Sequence, residues 1–348
     1  MSNLKKIIVL LLLGGLVVMA AFSYFVYSNV FSSNTFFKNN EAHIFIPRAS
    51  NFSDVLEEIA PLLEDVKSFE MVAHKKGYSS NVKSGHFMIR KGMNNNQIIN
   101  SIRIKNIPVK VKFNNQERIE NLAGSLSRQL DADSLSFLKA VFNDVFLKEN
   151  NITKETALCI FIPNTYEVYW DITPEDFIKK MVEESNKFWN EERLAKSQKI
   201  NLSKSQIISL AAIVQKETIK IDERPRVAGV YINRIKKGML LQADPTVIYS
   251  KKLKENNFDL QIKRVLYEDL VIDSPYNTYK YPGIPPGPIS MPDISSIDAV
   301  LNYETHNYYF FVADVSNFGY HKFAKNLTQH NRYKKEYTRW VSQQKIYR

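Results

Sequence analysis

One stretch decides how this sequence is interpreted: SQIISLAAIVQKET, residues 205–218. Read with a helical period, it places Ile207, Leu210, Ala211 and Val214 on one apolar face. Glu217 continues this face, three residues after Val214. The pattern therefore predicts a packed helix that carries a carboxyl group at its end.

Glu217 also falls in the last turn of the predicted helix, where the macrodipole disfavours a negative charge. Burial and the dipole both raise the pKa of a carboxyl group, and a general acid that works near neutral pH needs a raised pKa. An ordinary glutamate at a helix end would instead form an ion pair, with Lys216 or Arg224 as its partner. Taken alone, the helix favours this second interpretation, so the choice depends on the sequence that follows.

The residues that follow predict a second helix, joined to the first by a tight turn. Asp222 suits an N-cap position, and Gly238 can end the helix. Anions are stabilised at a helix start, so Asp222 and Glu223 should be ionised there. We expect them to cap the helix or to pair with Arg224 or Arg226.

Two later segments combine turn signals with polar side chains. Asp244-Pro245 marks a turn, and three nearby side chains can form hydrogen bonds and are candidates for substrate binding: Gln242, Asp244 and Thr246. Five of the chain's 13 prolines fall between residues 275 and 288, so that loop is stiff and not helical. Tyrosines and amides on a stiff loop suit saccharides, and the candidates there are Tyr276, Asn277 and Thr278. A structural loop with surface tyrosines is the alternative.

The N-terminal region predicts a membrane anchor. Residues 7–27 are uncharged, and at about 1.5 Å per residue a helix of this length spans roughly the 30 Å core of a bilayer. A cleaved signal peptide would have a shorter apolar run and a better exit site than Met19-Ala20-Ala21. Lys5 and Lys6 precede the run, so the N-terminus should be cytoplasmic and the rest of the chain extracytoplasmic.

The composition limits the other possibilities. With 348 residues, 44% of them hydrophobic and 24% charged, the chain has room for two or three domains. A net charge of +11 ordinarily suggests nucleic acid, but an extracytoplasmic body favours anionic lipid headgroups or an anionic wall polymer instead. The lone Cys159 predicts no intrachain disulfide and suits a packing position, and the Cys and His spacing predicts neither a metal site nor a cofactor.

Residues 42–106 contain a weak internal repeat. Residues 45–51 and 88–94 each read as a strand and a polar turn that lead into a helix. With a further helix at about Val66–Lys75, this strand-helix-helix-strand unit resembles the LysM-like module of wall-binding proteins. Beyond it we expect a strand at residues 109–113 and helices at about 117–130, 134–146 and 174–189. An extended aromatic segment should interrupt these helices at residues 161–169.

Several short motifs follow one another in a distinctive order. They are IVQKET (213–218), ER (223–224), VYINR (230–234), MLLQADPTVIY (239–249), YNTY (276–279) and GIPPGPI (283–289). Upstream lies FIPNTY (161–166), and downstream lie YFFVAD (309–314) and a segment from HKF to HN (321–331). Together they closely resemble the endolytic murein transglycosylase, or YceG-like, family, from the anchor to about residue 338. Asn164 stands where that family often has Asp, and the turn at residues 315–319 is longer than usual.

The resemblance implies an α+β fold: an N-terminal transmembrane helix, a small LysM-like module and a lysozyme-like catalytic domain with a glutamate at a helix end. The expected divisions are a cytoplasmic tail (1–6), the anchor (7–27), a polar stalk (28–41), the LysM-like module (42–106), a YceG-like catalytic domain (107–340) and a tail (341–348).

The resemblance also implies a lyase. Such enzymes cleave the β-1,4 bond between N-acetylmuramic acid (MurNAc) and N-acetylglucosamine (GlcNAc) within nascent peptidoglycan strands, leave a 1,6-anhydro-MurNAc end and so terminate strand elongation. Glu217 would be the single catalytic acid/base. The expected partners are peptidoglycan glycan strands, the cytoplasmic membrane and a peptidoglycan synthase, with no nucleic acid.

Two other functions remain open. A glycoside hydrolase on the same scaffold would pair Glu217 with a second carboxylate, typically about 5 to 9.5 Å away. Asp244 is the nearest candidate for that carboxylate, although Asp244-Pro245 reads equally well as a turn. A non-catalytic wall-binding protein would tolerate loss of Glu217, and the intact Lys216-Glu217-Thr218 context argues against it.

Overall fold

The structure, a computed structural model, describes residues 3–262 and 264–343. It combines α-helices with two-stranded sheets, which confirms the mixed helix-and-sheet class. The chain divides into two units. The first contains the chain up to Val111 together with Ser127–Ala132 and Tyr166–Thr173, and the second contains Lys112–Leu126, Asp133–Thr165 and the chain from Pro174 onward. The tails expected at 1–6 and 341–348 lie partly outside the described residues.

The N-terminal helix α1 (Asn3–Val30) is apolar and exposed along most of its length. The segment Leu4–Val30 reaches a mean hydropathy of 2.6. In the described part of the chain it is the one helix long and apolar enough to cross a membrane, and its terminal position also fits a signal sequence.

The repeat predicted in the first unit corresponds to two strand-to-helix connections. The unit contains β1 (Glu41–Ile46), α2 (Phe52–Ile59), a short 3-10 helix (Ala60–Leu62), α3 (Val66–Lys75), β2 (Gly85–Arg90) and α4 (Asn95–Ile104). Strands β1 and β2 are antiparallel, with Ile44 opposite Phe87. Asn51 and Asn94, the last residues of the two repeats, are the N-caps of α2 and α4, each in a capping box. The repeat therefore encodes two helix starts.

Within the mostly polar segment between α1 and β1, one residue packs against other parts of the first unit. Asn34 is buried, and its amide donates hydrogen bonds to the Asp65 carbonyl oxygen (2.8 Å) and to Asn95 Oδ1 (2.7 Å). Its own Oδ1 accepts from the Asp65 backbone N–H at 2.6 Å. An asparagine side chain that replaces a missing strand partner in this way packs the segment onto the rest of the first unit.

The rest of the chain is mainly helical. Its helices are α5 (Ile119–Ser127), α6 (Ser134–Val141), α7 (Asp144–Glu149), α8 (Pro174–Phe188), α9 (Glu191–Ile200), α10 (Lys204–Glu217), α11 (Arg224–Lys236), α12 (Asp244–Lys254), α13 (Ile294–Leu301) and α14 (Leu327–Gln343), with short 3-10 helices at Ala157–Ile160 and Asp269–Val271. Strand β3 (Pro108–Phe113) pairs with β4 (Asn164–Tyr169), and β5 (Phe310–Ala313) pairs antiparallel with β6 (His321–Ala324).

Helix α10 is the central element of the second unit. Ser203 begins it with a capping box to Gln206, and every residue from 207 to 214 is buried. The helix is therefore enclosed on all sides rather than on the single face that the periodicity indicated, and it packs against α11, α12 and α13. Cys159 packs against the same core, where burial raises the pKa of its thiol to about 12, so it is an inert packing residue.

Candidate active site

Glu217 is the last residue of α10, and its carboxyl group is half-buried. The hydroxyl of Tyr231, which lies on α11 and is 1% exposed, donates a hydrogen bond to Glu217 Oε1 at 2.8 Å. Neither of the ion-pair partners considered above, Lys216 or Arg224, fills this role, because Arg224 instead donates to Asp293 at 2.9 Å. A neutral donor therefore takes the place of the expected cation.

The surroundings of Glu217 leave its acid and its base form close in free energy. Burial raises the pKa of this carboxyl to about 7, and the charge of Asp244 acts in the same direction. The hydrogen bond from Tyr231 and the positive charges of His321 and Arg234 oppose the increase. A group with this pKa can both donate and accept a proton near neutral pH.

Glu217 opens into a cavity of about 300 Å³. Its walls come from α10, α11, the residues at the start of α12, β5 and α14. The lining residues are Glu217, Tyr231, Arg234, Leu241, Gln242, Asp244, Tyr279, Phe310, Phe311, Leu327 and His330. The cavity thus brings together two carboxyl groups, a guanidinium, two tyrosine hydroxyls and several rings.

Two of the predicted sugar-binding residues, Gln242 and Asp244, lie in this cavity. They are exposed, whereas Leu241 before them and Ala243 between them are buried, so the segment before α12 alternates like a strand. Gln242 has a left-handed backbone (φ 50°), which is uncommon for a residue other than glycine. Tyr279 donates to Asp244 Oδ1 at 2.6 Å and fixes that carboxylate in the wall.

Arg234 supplies a buried positive charge, since it is 7% exposed. Its Nε donates to the Tyr309 carbonyl oxygen at 2.7 Å and its Nη1 to the Leu241 carbonyl oxygen at 2.6 Å. These acceptors are neutral, so the guanidinium is held rigidly while its charge remains directed at the acids of the cavity. Its neighbours there are Glu217 and the hydroxyls of Tyr231 and Tyr279.

The other four candidates do not line the cavity, and the expectation that they face it is corrected. Tyr276, Asn277, Thr278 and Thr246 are all buried. Thr278 Oγ1 accepts from the Ala243 backbone N–H at 3.0 Å and contacts Thr246 Oγ1 at 2.8 Å. Polar side chains on a loop that packs into the interior must satisfy its backbone groups, and Thr278 and Thr246 thereby hold the Pro-rich loop against the start of α12.

The acids after Glu217 also differ from expectation. Glu223, not Asp222, is the N-cap of α11, and its side chain makes no capping hydrogen bond. Nor do these acids pair with Arg224 or Arg226, because Arg226 donates to Glu304 at 2.9 Å and Arg224 to Asp293. Glu223 is directed instead to Thr218 and His321.

The residues missed by the sequence analysis lay inside motifs that it quoted. Tyr231 and Arg234 belong to VYINR, where a spacing of three residues places both on one face of α11. Tyr279 ends YNTY, and Phe310 and Phe311 belong to YFFVAD. Periodicity could have paired Tyr231 with Arg234, but their proximity to Glu217 depends on how α10 and α11 pack.

Comparisons with known proteins agree on one family. A sequence profile of the YceG-like family matches residues 44–336. The endolytic murein transglycosylase of Bacillus subtilis (strain 168) is 30% identical over 317 residues, which cover 85% of this chain and 84% of that protein. Its counterpart in Streptococcus pneumoniae (strain D39) is 26% identical over 82% of this chain, and the match spans 56% of that longer protein.

A solved structure is similar as well. The crystal structure of a YceG-like protein from Listeria monocytogenes has a TM-score of 0.55 and 26% sequence identity. The similarity covers 85% of this chain and 99% of that one.

Proposed function

Because the chain belongs to the YceG-like family, we propose that it is a membrane-anchored endolytic peptidoglycan lytic transglycosylase. It cleaves the MurNAc-β-1,4-GlcNAc bond within nascent strands and leaves 1,6-anhydro-MurNAc ends. The relatives that bear the name endolytic murein transglycosylase support this assignment. The observation that carries it in this chain is a glutamate held by Tyr231 in the wall of a cavity, with a pKa raised by burial to about 7.

In the proposed reaction Glu217 acts twice. The protonated carboxyl gives its proton to the glycosidic oxygen, which keeps the bonding electron pair as the bond to the muramic anomeric carbon breaks. The oxygen of the muramic C6 hydroxyl then attacks that carbon, and its proton passes to the Glu217 carboxylate. The acid is restored, and no water is consumed. Intramolecular delivery of this kind can supply roughly 7 to 11 kcal/mol of the barrier.

The contacts of Glu217 suit this exchange. Tyr231 occupies Oε1, and among the described residues no hydrogen bond reaches Oε2, so Oε2 is the oxygen that faces the substrate. Arg234 stabilises the carboxylate that forms after the first proton transfer, since its charge favours the ionised state. Asp244 stabilises the positive charge that develops at the anomeric carbon, and Gln242 binds a neighbouring sugar.

A glycoside hydrolase is the second candidate, and one observation favours it. Asp244, which the sequence reads equally well as a second carboxylate or as a turn residue, lies in the same cavity as Glu217 and is exposed to it. A second carboxylate in that position could activate water. The wall-binding alternative is weaker, because it gives no reason for a half-buried glutamate with a raised pKa.

Digestion of peptidoglycan in ¹⁸O-water separates the two enzymes. A transglycosylase leaves new muramic ends unlabelled and about 20 Da lighter than ends hydrolysed in the same ¹⁸O-water, because the tethered hydroxyl replaces water. Label in most new ends would establish hydrolysis. The Glu217→Gln variant is the control for both reactions: it should lose about 10² to 10⁴-fold of the activity, and a variant that kept a tenth of it would exclude Glu217 as the acid.

The first unit and the anchor have proposed roles of their own. We assign glycan binding to the LysM-like module, and a groove of about 520 Å³ supports this role because it combines an aromatic wall with carboxylates. Its lining includes Phe45 and Pro47 together with Asp54, Glu57 and Glu58. The lysozyme-like domain expected at 107–340 would then cut the strand, close to a synthase in the cytoplasmic membrane.

A further inference from the structure

Glu223 is a buried carboxylate that lies outside the cavity lining and has three donors. It is 5% exposed. Its Oε2 accepts from the Thr218 hydroxyl at 3.0 Å and contacts His321 Nδ1 at 2.8 Å, while its Oε1 accepts from the His321 backbone N–H at 2.7 Å. A carboxylate that accepts several short hydrogen bonds holds the groups that donate them in fixed positions. Here it joins the end of α10 to strand β6.

Both groups bound by Glu223 lead back to Glu217. Thr218 is the next residue in the chain and the C-cap of α10. On the other side, the His321 ring packs edge-on against the Phe311 ring, with 5.1 Å between the ring centroids. Phe311 in turn packs edge-on against Tyr231, with 6.0 Å between their ring centroids. Tyr231 donates to Glu217. The contacts therefore form a closed circuit from Glu217 through Tyr231, Phe311, His321, Glu223 and Thr218 back to Glu217.

We propose that Glu223 and His321 are a positioning pair for Glu217, which holds the carboxyl in place for proton transfer and sets the pH range in which it is protonated. This inference rests on the proposed function. The pair does not touch the substrate, since neither side chain is among the described residues that line the cavity. It acts by fixing Thr218 on one side and the Phe311–Tyr231 contact on the other.

The charges around the circuit support the second part of the proposal. Although burial alone would raise it, the hydrogen bonds from His321 and Thr218 hold the pKa of Glu223 below its usual value, so its carboxylate is ionised. A proton on the His321 ring, in turn, lowers the pKa of Glu217. The other titratable and charged groups that face Glu217 are Tyr231 and Arg234 from α11, Asp244 from α12 and Tyr279 from the Pro-rich loop. Those near the pair are Asp222, Tyr320 and Lys220.

Three variants of the full-length protein test the pair. His321→Phe keeps a ring against Phe311 but removes the charge and the Nδ1 hydrogen bond. His321→Asn keeps a neutral donor to Glu223 at the Nδ1 position, and Glu223→Gln keeps the shape of the acid without its charge. The matched control is Tyr320→Phe. It removes the hydrogen bond from Tyr320 to Asp222 (3.0 Å). Tyr320 directly precedes His321 in the chain and Asp222 directly precedes Glu223, so this bond joins the same two segments as the pair does.

The measurement is the pH dependence of kcat/KM for release of anhydro ends from peptidoglycan strands. His321→Phe should lower kcat on the order of 10 to 100-fold, because small displacements of a catalytic group have effects of this size. It should also move the decline in activity to higher pH. Both changes that it makes, the lost cation and the unpaired Glu223 anion, raise the pKa of Glu217, and activity requires the protonated form. His321→Asn should recover part of kcat but keep the shifted decline, and Tyr320→Phe should match the wild type.

The possible outcomes separate this inference from the proposed function. If Glu217→Gln is inactive while folded His321→Phe and His321→Asn keep the wild-type pH profile, the pair is only structural and the inference fails. Equal losses of activity and melting temperature with an unmoved profile would have the same meaning. If His321→Phe does not fold, His321→Asn and Glu223→Gln decide the question by the same measurement. If Glu217→Gln remains active, the proposed function fails first.

Discussion

In the proposed reaction Glu217 releases a proton and then recovers it, and the folded protein suits this role by making its ionised form unfavourable. Burial does most of this, and Asp244 adds to it. A carboxyl group that binds its proton more tightly when folded than when unfolded destabilises the protein wherever the unfolded chain would be ionised. The same pKa that suits catalysis therefore lowers stability at neutral pH.

This linkage predicts the effect of Glu217→Gln on stability. The pKa of Glu217 rises from 4.5 to about 7 on folding. Below pH 4.5 both states hold the proton, between 4.5 and 7 only the folded state does, and stability falls across this window. At roughly 1.4 kcal/mol per pKa unit, the loss at pH 8 is at most about 3.5 kcal/mol. Glu217→Gln should abolish this loss and unfold at a higher temperature than the wild type at pH 8.

An exposed glutamate provides the control for that prediction. Glu192 on α9 pairs with Lys196 at 2.6 Å, and this hydrogen bond lowers its pKa. Glu192→Gln should therefore give no gain in melting temperature at pH 8. If Glu217→Gln and the wild type have the same melting temperature at pH 8 and at pH 4, Glu217 has an ordinary pKa and the account of its acidity is wrong.

Among single residues, the sequence identified those whose position depends on the neighbouring residues in the chain. Glu217 could be found because its helix position follows from periodicity and its end position from the turn that comes next. Tyr231 could not be identified as its partner, because that contact depends on the angle at which α11 crosses α10. Asn277 was assigned to sugar because amides suit saccharides, but the way a loop packs decides whether an amide faces substrate or backbone.

The Pro-rich loop is an element held together by its own side chains. Asn277 is 0% exposed, and its amide donates to the carbonyl oxygens of Leu270 (3.0 Å) and Ile272 (2.9 Å). Its Oδ1 accepts from the Tyr279 backbone N–H at 3.0 Å. Since Tyr279 binds Asp244 in the cavity, the interior of the loop determines the position of a residue in the site.

Asn277→Ala should therefore destabilise the protein and reduce its activity together. Each buried group left without a partner costs about 1 to 3 kcal/mol, so the melting temperature should fall by several degrees. Lys280→Ala, on the same loop, removes an exposed ion pair with Asp273 and should change neither quantity noticeably. A fall in activity at an unchanged melting temperature would instead support direct contact between Asn277 and sugar.

Helix starts were predictable where capping is local. Asn51, Asn94 and Ser203 each accept a hydrogen bond from a backbone N–H within their own first turn. For α11 the predicted N-cap was wrong by one residue. Asp222 has the right chemistry for an N-cap, but the N-cap is Glu223, whose carboxylate contacts His321. Here a long-range contact overrides the local preference.

The sequence was least informative about which distant segments pack together in one unit. Residues 127–132 and 166–173 belong with the first unit, although they follow it by many residues. Asp171 accepts hydrogen bonds from Ser84 (2.6 Å) and Asn106 (3.1 Å), which precede it by 87 and 65 residues. No local pattern encodes pairings at such separations, whereas the apolar run of α1 is legible from composition alone.

The charges on either side of α1 predict an orientation for the whole molecule. Lys5 and Lys6 precede the apolar segment, and in the first fourteen or so residues after Tyr27 only Lys38 is positively charged. Basic residues are retained on the cytoplasmic side, so the body should be extracytoplasmic and the anchor uncleaved. The native Cys159 is a silent background for thiol labelling, because burial raises the pKa of its thiol to about 12.

Single-cysteine reporters therefore test the orientation in intact cells. Asn39→Cys places a thiol at an exposed position after α1 and should react with a membrane-impermeant maleimide, whereas Ser2→Cys should react only after the membrane is permeabilised. The parent chain, with Cys159 alone, should stay unlabelled in both conditions. Labelling of Ser2→Cys in intact cells would reverse the orientation, and a mature N-terminus near residue 22 would show that α1 is removed as a signal peptide. Either result would separate the catalytic unit from the anchored position that the proposed action on nascent strands requires.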